Sequence, residues 1–355
     1  MTSPSSPRPL LSVPLTQRRA AAEWEALGVV CPSCHGRLGD ATEALICPQC
    51  SATYRLTCGI PDLRTIGDPY LSIADDVNAA ESLAARADGR SFGELYASYY
   101  EGNAKVSPEQ VARFTHGVLA AADRAGATVE TWRDGGGALP ANARVLDLGC
   151  GTAPLGVVLA AAGHQVIGVD AGLRWLVLAR ARAAAYGIDL PVICANAERL
   201  PLRDVSVRAV VGESVLENLT DAAAGVAEAH RVLQSGGMLA LTTPNRHSVG
   251  PDPHLGLLAG GWRSPEALQA YARRTGQVMP RRRLFAPSEL AKVMRDGGFR
   301  DVRVLLPRFT DTQRAGVSLA ANLAIAGYHV LRRIPVVGSV VMQIAPSLAV
   351  VALNE

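Results

Sequence analysis

Lysine is almost absent from the 355-residue chain: Lys105 and Lys292 are the only two, so arginine carries nearly all of its basic charge. Lys and Arg number 35 against 32 Asp and Glu, a net charge of +3. That is short of the broad basic excess of a dedicated nucleic-acid binder and makes a small molecule the expected ligand. The start, MTSPSSPRPLLSVPLTQRR, has no basic segment followed by an unbroken apolar run, so a signal peptide is not expected and a reducing cytoplasm is. A clean run of about 20 apolar residues is also missing. The most apolar region, from residue 315 onward, is broken by Arg332, Arg333 and Pro335, which argues against a spanning helix and leaves peripheral membrane contact open. With 48% hydrophobic and 19% charged residues, 34 Gly, 22 Pro and no internal repeat, the chain is neither disordered nor collagen-like.

At about 100–200 residues per domain the length calls for more than one unit. Residues 1–25, rich in Ser, Pro and Arg, read as a flexible leader, and 26–66 as a compact cysteine-bearing unit too small for a core of its own. Residues 67–139 read as a helical cap and linker, because Leu95, Val111, Phe114, Val118 and Leu119 follow helical spacing and Gly135-Gly136-Gly137 then breaks it. In 140–355 strands are predicted at 144–150, 166–170, 192–196, 207–212, 238–243, 302–306 and 348–353. Helices are predicted at 155–162, 173–186, 222–233 and 287–296. Near-continuous Val/Leu/Ile strands alternating with helices predict an α/β, doubly wound fold with a parallel sheet covered on both faces.

Four of the seven cysteines form two pairs, Cys31-x-x-Cys34 and Cys47-x-x-Cys50. Four soft ligands on two knuckles at this spacing predict a closed, tetrahedral structural zinc site. Cys58, Cys150 and Cys194 fall outside the pattern; Cys150, in a turn, and Cys194, in a strand, read as packing residues, and His35 as at most a spare ligand.

The segment Val145-Leu146-Asp147-Leu148-Gly149-Cys150-Gly151-Thr152 runs a strand into a glycine turn just before a helix. About 20 residues on, a second strand ends in the acid Asp170, as contact with ribose hydroxyls requires. The pair leaves NAD possible, but the turn lacks the GxGxxG that holds a pyrophosphate, so a ligand without phosphates fits better. This segment resembles the first motif of class I S-adenosylmethionine-dependent methyltransferases, with Ala153 where a third glycine is common. Asn196-Ala197-Glu198-Arg199-Leu200-Pro201 is similar to the family's third-strand segment, where an acid contacts the adenine amine and the next backbone N–H the ring; Asn196 replaces that acid. Residues 228–237 match the helix and glycine turn before the fifth strand.

The resemblance, over 144–245, implies a Rossmann-like seven-stranded, mostly parallel sheet of order 3-2-1-4-5-7-6 with an antiparallel last strand. It implies S-adenosylmethionine as cofactor, contacted by Asp147, Gly149, Cys150, Gly151, Asp170, Ala171, Asn196, Ala197 and Glu213. The cysteine unit, with Tyr54 and residues 59–63, resembles zinc ribbons that accompany methyltransferases, some acting on ribosomal or transfer RNA. RNA methylation aided by Arg281-Arg282-Arg283 is thus one alternative, and a non-catalytic cofactor-binding scaffold another.

Methyl transfer from a sulfonium is an in-line displacement, for which proximity, alignment and exclusion of water can supply much of the rate and a dedicated base is optional. Where a base is needed, Glu213 and Glu217, at the end of the fourth strand, and His254, in the loop after the fifth, are the candidates. His230 reads as structural, and Tyr96, Tyr99 and Tyr100 either as a lid or as packing. The segments 246–287 and 309–347 are expected to shape the acceptor pocket, and their Leu255, Leu257, Leu258, Trp262, Leu319, Leu323, Ile325, Val330 and Ile334 suggest a lipophilic, natural-product-like acceptor. A helix at 317–334 is expected to be a wall of that pocket; a membrane-surface helix and a dimer contact are the competing readings.

Overall fold

The computed structural model describes residues 17–67, 71–102, 106–250, 252, 255–275, 282–314 and 318–355. The chain enters through a short helix, α1 (Ala21–Ala26), where a leader was expected; Trp24, 2% exposed, ties it down. Strands β1 (Gly39–Ala41), β2 (Ala44–Ile46), β3 (Thr53–Thr57) and β4 (Ile60–Pro61) then form an antiparallel sheet in chain order. Four helices follow: α2 (Ile73–Ala85), α3 (Phe92–Ser98), α4 (Pro108–Leu119) and α5 (Ala121–Asp134). Ser72, Ser91 and Ser107 cap the first three by accepting a backbone N–H of the first turn, which fixes where each helix starts.

The main sheet is built from β5 (Arg144–Leu148), β6 (Gln165–Asp170), β7 (Val192–Cys194), β8 (Val207–Glu213), β9 (Leu233–Pro244), β10 (Arg300–Leu305) and β11 (Ser347–Asn354). Its order is β10-β11-β9-β8-β5-β6-β7, with β11 antiparallel to both neighbours. Numbered within the sheet this is 3-2-1-4-5-7-6, as expected. Between the strands run α6 (Pro154–Ala161), α7 (Leu173–Ala185), α8 (Ala222–Val232), α9 (Pro265–Thr275), α10 (Pro287–Asp296), α11 (Asp311–Arg314), α12 (Leu319–Leu331) and α13 (Pro335–Ile344).

Strand periodicity sorts the core into two layers. Val145, Ala209, Val211, Ala240 and Val351 join one cluster with Trp132 of α5, Leu159 of α6 and Leu176 of α7. Leu146, Leu148, Val210, Leu239, Leu241 and Val350 join the other with Val226 of α8 and Leu290 of α10. Parallel strands are normally joined through a helix, yet the connection 195–206 between β7 and β8 has none. The cysteine unit covers that face instead: Trp24, Val29, Leu45 and Leu63 pack with Ala195, Leu200 and Leu202. Backbone bonds seal the junction, from Val30 N–H to Pro201 O (3.0 Å), Arg203 N–H to Gly28 O (2.9 Å) and Leu63 N–H to Cys194 O (2.7 Å). Asp62 bridges Cys194 in parallel, so the chain leaving the unit extends the sheet beyond β7.

The tail departs from expectation. Helix α12 lines a groove of about 1370 Å³ against α5 and α6 through Ala326, His329, Arg332 and Arg333, and that groove contains no residue of the glycine turn. Leu323, expected in a pocket wall, is 64% exposed. Leu258 and Trp262 of the other insertion are exposed as well, and only Leu255 among its expected pocket residues is buried.

Candidate functional site

At the carboxyl ends of β5, β6 and β7 lies a cavity of about 370 Å³, where ligands bind in doubly wound sheets. Gly149 and Gly151 line it at φ +62° and +51°, in the left-handed region that favours glycine. A Cβ on Gly149 would come within 2.5 Å of Val215, whereas one on Gly151 would meet nothing within 4 Å and would project into open space. Asp170, at the tip of β6, accepts the Gly151 N–H (2.9 Å) and the Gly172 N–H (2.7 Å), joining the glycine turn to the start of α7. Ala171 and Ala197 line the cavity too. A backbone cradle with space above it and a carboxylate beside it fits an adenosyl group.

Other expected contacts are committed elsewhere in part. The Asn196 Oδ1 accepts the N–H groups of Thr65 (2.9 Å) and Ile66 (3.0 Å), and its Nδ2 donates to Ile66 O (3.1 Å). Asn196 lines the cavity, as expected, and at the same time clasps the chain leaving the cysteine unit through its side-chain amide. That clasp brings Ile66 and Gly67 into the cavity wall, a contribution the sequence did not signal. Asp147 is 1% exposed and does not line the cavity. Burial pushes its carboxyl well above the usual range, and the nearby Glu213 adds to this; its Oδ2 has no hydrogen-bond partner. The Cys150 N–H is taken by Val169 O (3.0 Å), and its thiol fills the space over Gly168.

Two of the three catalytic candidates, Glu213 and Glu217, also lie outside the cavity wall. Glu213 accepts from the Thr128 hydroxyl (2.6 Å) of α5, and burial raises its pKa against that bond. Glu217 is 2% exposed, not solvated, and accepts from Thr243 Oγ1 (3.0 Å); burial raises its pKa as well. Neither lines the cavity. His254 lies outside the described residues, as does Arg281. Arg282 is buried in an ion pair with Asp252, and Arg283 lies over Phe285, so of these two arginines only Arg283 faces solvent. His230 packs edge-on against Phe299, as a structural residue would.

Aromatic side chains form part of the cavity wall. Tyr96 and Trp175 line it, Tyr99 stacks on Trp175 (5.2 Å between centroids), and the Tyr96 and Tyr100 hydroxyls are 3.2 Å apart. Beneath them is a buried ion-pair network. Asp76 of α2 receives Arg64 (2.7 Å) and Arg174 (2.6 Å) and caps α7 by accepting the Leu173 N–H (2.8 Å), while Arg64 also binds Asp62 (2.6 Å) and Ala171 O (3.0 Å). The cysteine unit, α2 and the cofactor end of α7 are thus one connected structure.

About the knuckles, the sulfur atoms of Cys31, Cys34, Cys47 and Cys50 all lie within 4.8 Å of one another and could hold one metal ion. Burial opposes ionisation of Cys31, but the Tyr54 hydroxyl (3.1 Å) and the backbone N–H groups of Ser33 and Cys34 outweigh it and bring the thiol down to about 7. Burial and the neighbouring thiols meanwhile hold Cys34 up at about 12 and Cys50 above its ordinary value, so one thiolate forms first in this cluster of soft ligands.

Residues 146–241 match the family described as methyltransferase domain. A probable S-adenosylmethionine-dependent methyltransferase of Mycobacterium tuberculosis is 38% identical over 107 residues, covering 30% of this chain and 38% of that protein. The chain thus spans under two fifths of that relative. The ubiquinone/menaquinone biosynthesis C-methyltransferase of Desulfotalea psychrophila is 33% identical over 177 residues, covering 46% of this chain and 68% of its own length. Among solved structures, an S-adenosylmethionine-dependent methyltransferase of Thermotoga maritima matches at 19% identity with a TM-score of 0.44, over 70% of this chain and 97% of that one. Match and motif coincide on the strands that frame the cavity, and the chain belongs to the S-adenosylmethionine-dependent methyltransferases.

Proposed function

We propose that this methyltransferase alkylates a small lipophilic acceptor, with a quinone-type ring as the leading class, and that its cysteine unit holds a structural zinc ion. The acceptor reading draws on the named activity of the Desulfotalea relative and on the apolar cover of the cavity by Ile66, Tyr96, Val118 and Trp175. The single observation that carries the site assignment is Asp170 beside the open backbone of Gly151. In this reading Asp170 holds the ribose, Gly149 and Gly151 admit the cofactor against the backbone, and the Ala197 backbone meets the adenine edge.

S-adenosylmethionine, when bound, supplies an electrophilic methyl group on a sulfonium. The chain contributes orientation and dryness: Ile66, Tyr96 and Trp175 exclude water, and the rigid ends of β5, β6 and β8 align the partners. Glu213 and Glu217 act through position. Glu213 braces α5 against β8 through Thr128, and Glu217 braces the turn after β8 against β9 through Thr243. Residues 26–66 then work as a strut for the domain at 140–355, with 67–139 as its cap. The test is transfer from methyl-labelled S-adenosylmethionine into reduced prenyl-naphthoquinones, a total lipid extract and total RNA. Label in the quinone or lipid fraction is expected. Label confined to RNA, or cofactor binding without transfer to any fraction, would overturn the reading.

A further inference from the structure

Helices α12 and α13 form a hairpin whose outward stripes are apolar. On α12, Leu319, Leu323 and Val330 are 77%, 64% and 62% exposed; on α13, Val336 and Val340 are 78% and 62% exposed. Their spacings of 4 and 7 residues place each set on one helix face. The opposite sides do the anchoring, with the Tyr328 hydroxyl donating to Pro307 O (2.7 Å) and Gly338 buried. The usual amphipathic pattern is therefore inverted over two consecutive helices, far beyond the scattered single apolar residues normal on a surface.

Along the two helices charge has one sign, while behind them Glu130 and Asp134 of α5 pair with Arg308, and Asp311 pairs with Arg314. Residues 312–354 contain no Asp or Glu, while Arg314, Arg332 and Arg333 are present, the last two at the turn between the helices. His329, within this group, is held below its ordinary pKa by burial and by four surrounding arginines, Arg308, Arg314, Arg332 and Arg333. The stripe continues into the loop after β9, where Val249 donates its N–H to Ile344 O and Trp262 is 59% exposed. Tryptophan beside arginine suits the bilayer interface. At 13 and 10 residues, α12 and α13 are about 20 and 15 Å long, against the ~30 Å of a bilayer core, and no described helix is long and apolar enough to cross a membrane.

We infer that the α12–α13 hairpin, with Trp262, docks flat on an anionic lipid bilayer. A second copy of the chain is the less suitable occupant, because α12 and α13 carry no Asp or Glu to meet the Arg332 and Arg333 of another copy, whereas anionic headgroups complement these arginines. The C-terminal end of α13 is fixed to the carboxyl end of β9, where the Asn245 Nδ2 donates to Met342 O and Gln343 O. Docking therefore brings the carboxyl end of β9 to the lipid surface. This holds whether or not the acceptor is a quinone.

The test is flotation of the full chain with vesicles of phosphatidylcholine alone or mixed with phosphatidylglycerol, run beside light scattering. Flotation with the mixed vesicles, weakening with salt, is expected. L323D/V340D should lower partitioning at least about tenfold, and R333E about fivefold, both with unchanged S-adenosylmethionine affinity. Brominated lipid should quench wild-type fluorescence, and quench it less in W262F, a readout that needs no folding-sensitive variant. Failure to float, flotation indifferent to L323D/V340D, or a dimer that this variant splits without any vesicle binding would each overturn the inference.

Discussion

Replacing Asp76 by Ala removes the carboxylate through which the cysteine unit, α2 and α7 are joined. Asp76 is fully buried, and the Arg64 side chain it pairs with is only 1% exposed. Breaking a buried charge pair by deleting one partner costs about 3–5 kcal/mol, and the cap on the Leu173 N–H goes with it. At about 2.1 cal/mol/K per residue, 355 residues give an unfolding entropy near ~0.75 kcal/mol/K, so Tm should fall by about 4–7 °C. Gly172, Arg174 and Trp175 line the cavity immediately beyond that cap, so cofactor affinity should also fall, by about tenfold or 1.4 kcal/mol. Calorimetric scanning and cofactor titration of the same preparation measure both. A Tm within about 1 °C of wild type together with unchanged affinity would refute the claim that this network supports the site.

Asn196→Asp moves the chain toward the acid usual in the family, but it sets a carboxylate oxygen against Ile66 O, where Nδ2 now donates; about 1–3 kcal/mol of stability should be lost in denaturant titration. Because burial raises the Asp147 and Glu213 pKa values in the folded chain, folding favours their protonated forms. Their contribution is fully present below the unfolded value of about 4 and is lost as pH rises through the raised folded values. Asp147→Asn should accordingly raise Tm at neutral pH and have little effect near pH 3, as thermal scans across pH will show. Cys47→Ser should abolish the single zinc ion per chain expected by metal analysis. It should also weaken cofactor binding, because residues 62–66 tie the cysteine unit to β7 and the cavity wall.

The sheet was legible because its strands are nearly unbroken Val, Leu and Ile and its turns carry glycine; β5, β6, β8 and β11 fall within a few residues of expectation. The glycine turn and Asp170 were legible because that geometry depends on residue type and spacing alone. What sequence could not convey was direction. Asn196 holds the right position for a ligand contact but turns to Thr65 and Ile66, more than a hundred residues upstream. Glu213 ends β8 and Glu217 follows in the turn after it, where catalytic acids sit, yet Glu217 is buried and Glu213 half-buried, each against a hydroxyl donor. In α12, Leu323 has the apolar spacing of a pocket wall, and periodicity does not say which way that face points. The missing β7–β8 helix and the cysteine unit in its place could not be read from either segment separately, since each is explained only by the surface of the other.

The roles given to the other residues all depend on S-adenosylmethionine binding in the cavity between the Gly149–Gly151 turn and Asp170. Isothermal titration of the zinc-loaded full chain with S-adenosylmethionine, in parallel with Asp170→Ala, tests it most directly. One site per chain is predicted, with the substitution costing about 2–4 kcal/mol, or roughly 30- to 1000-fold in affinity. An Asp170→Ala variant that binds as tightly as wild type, or a wild-type chain that takes up no S-adenosylmethionine, would contradict the account.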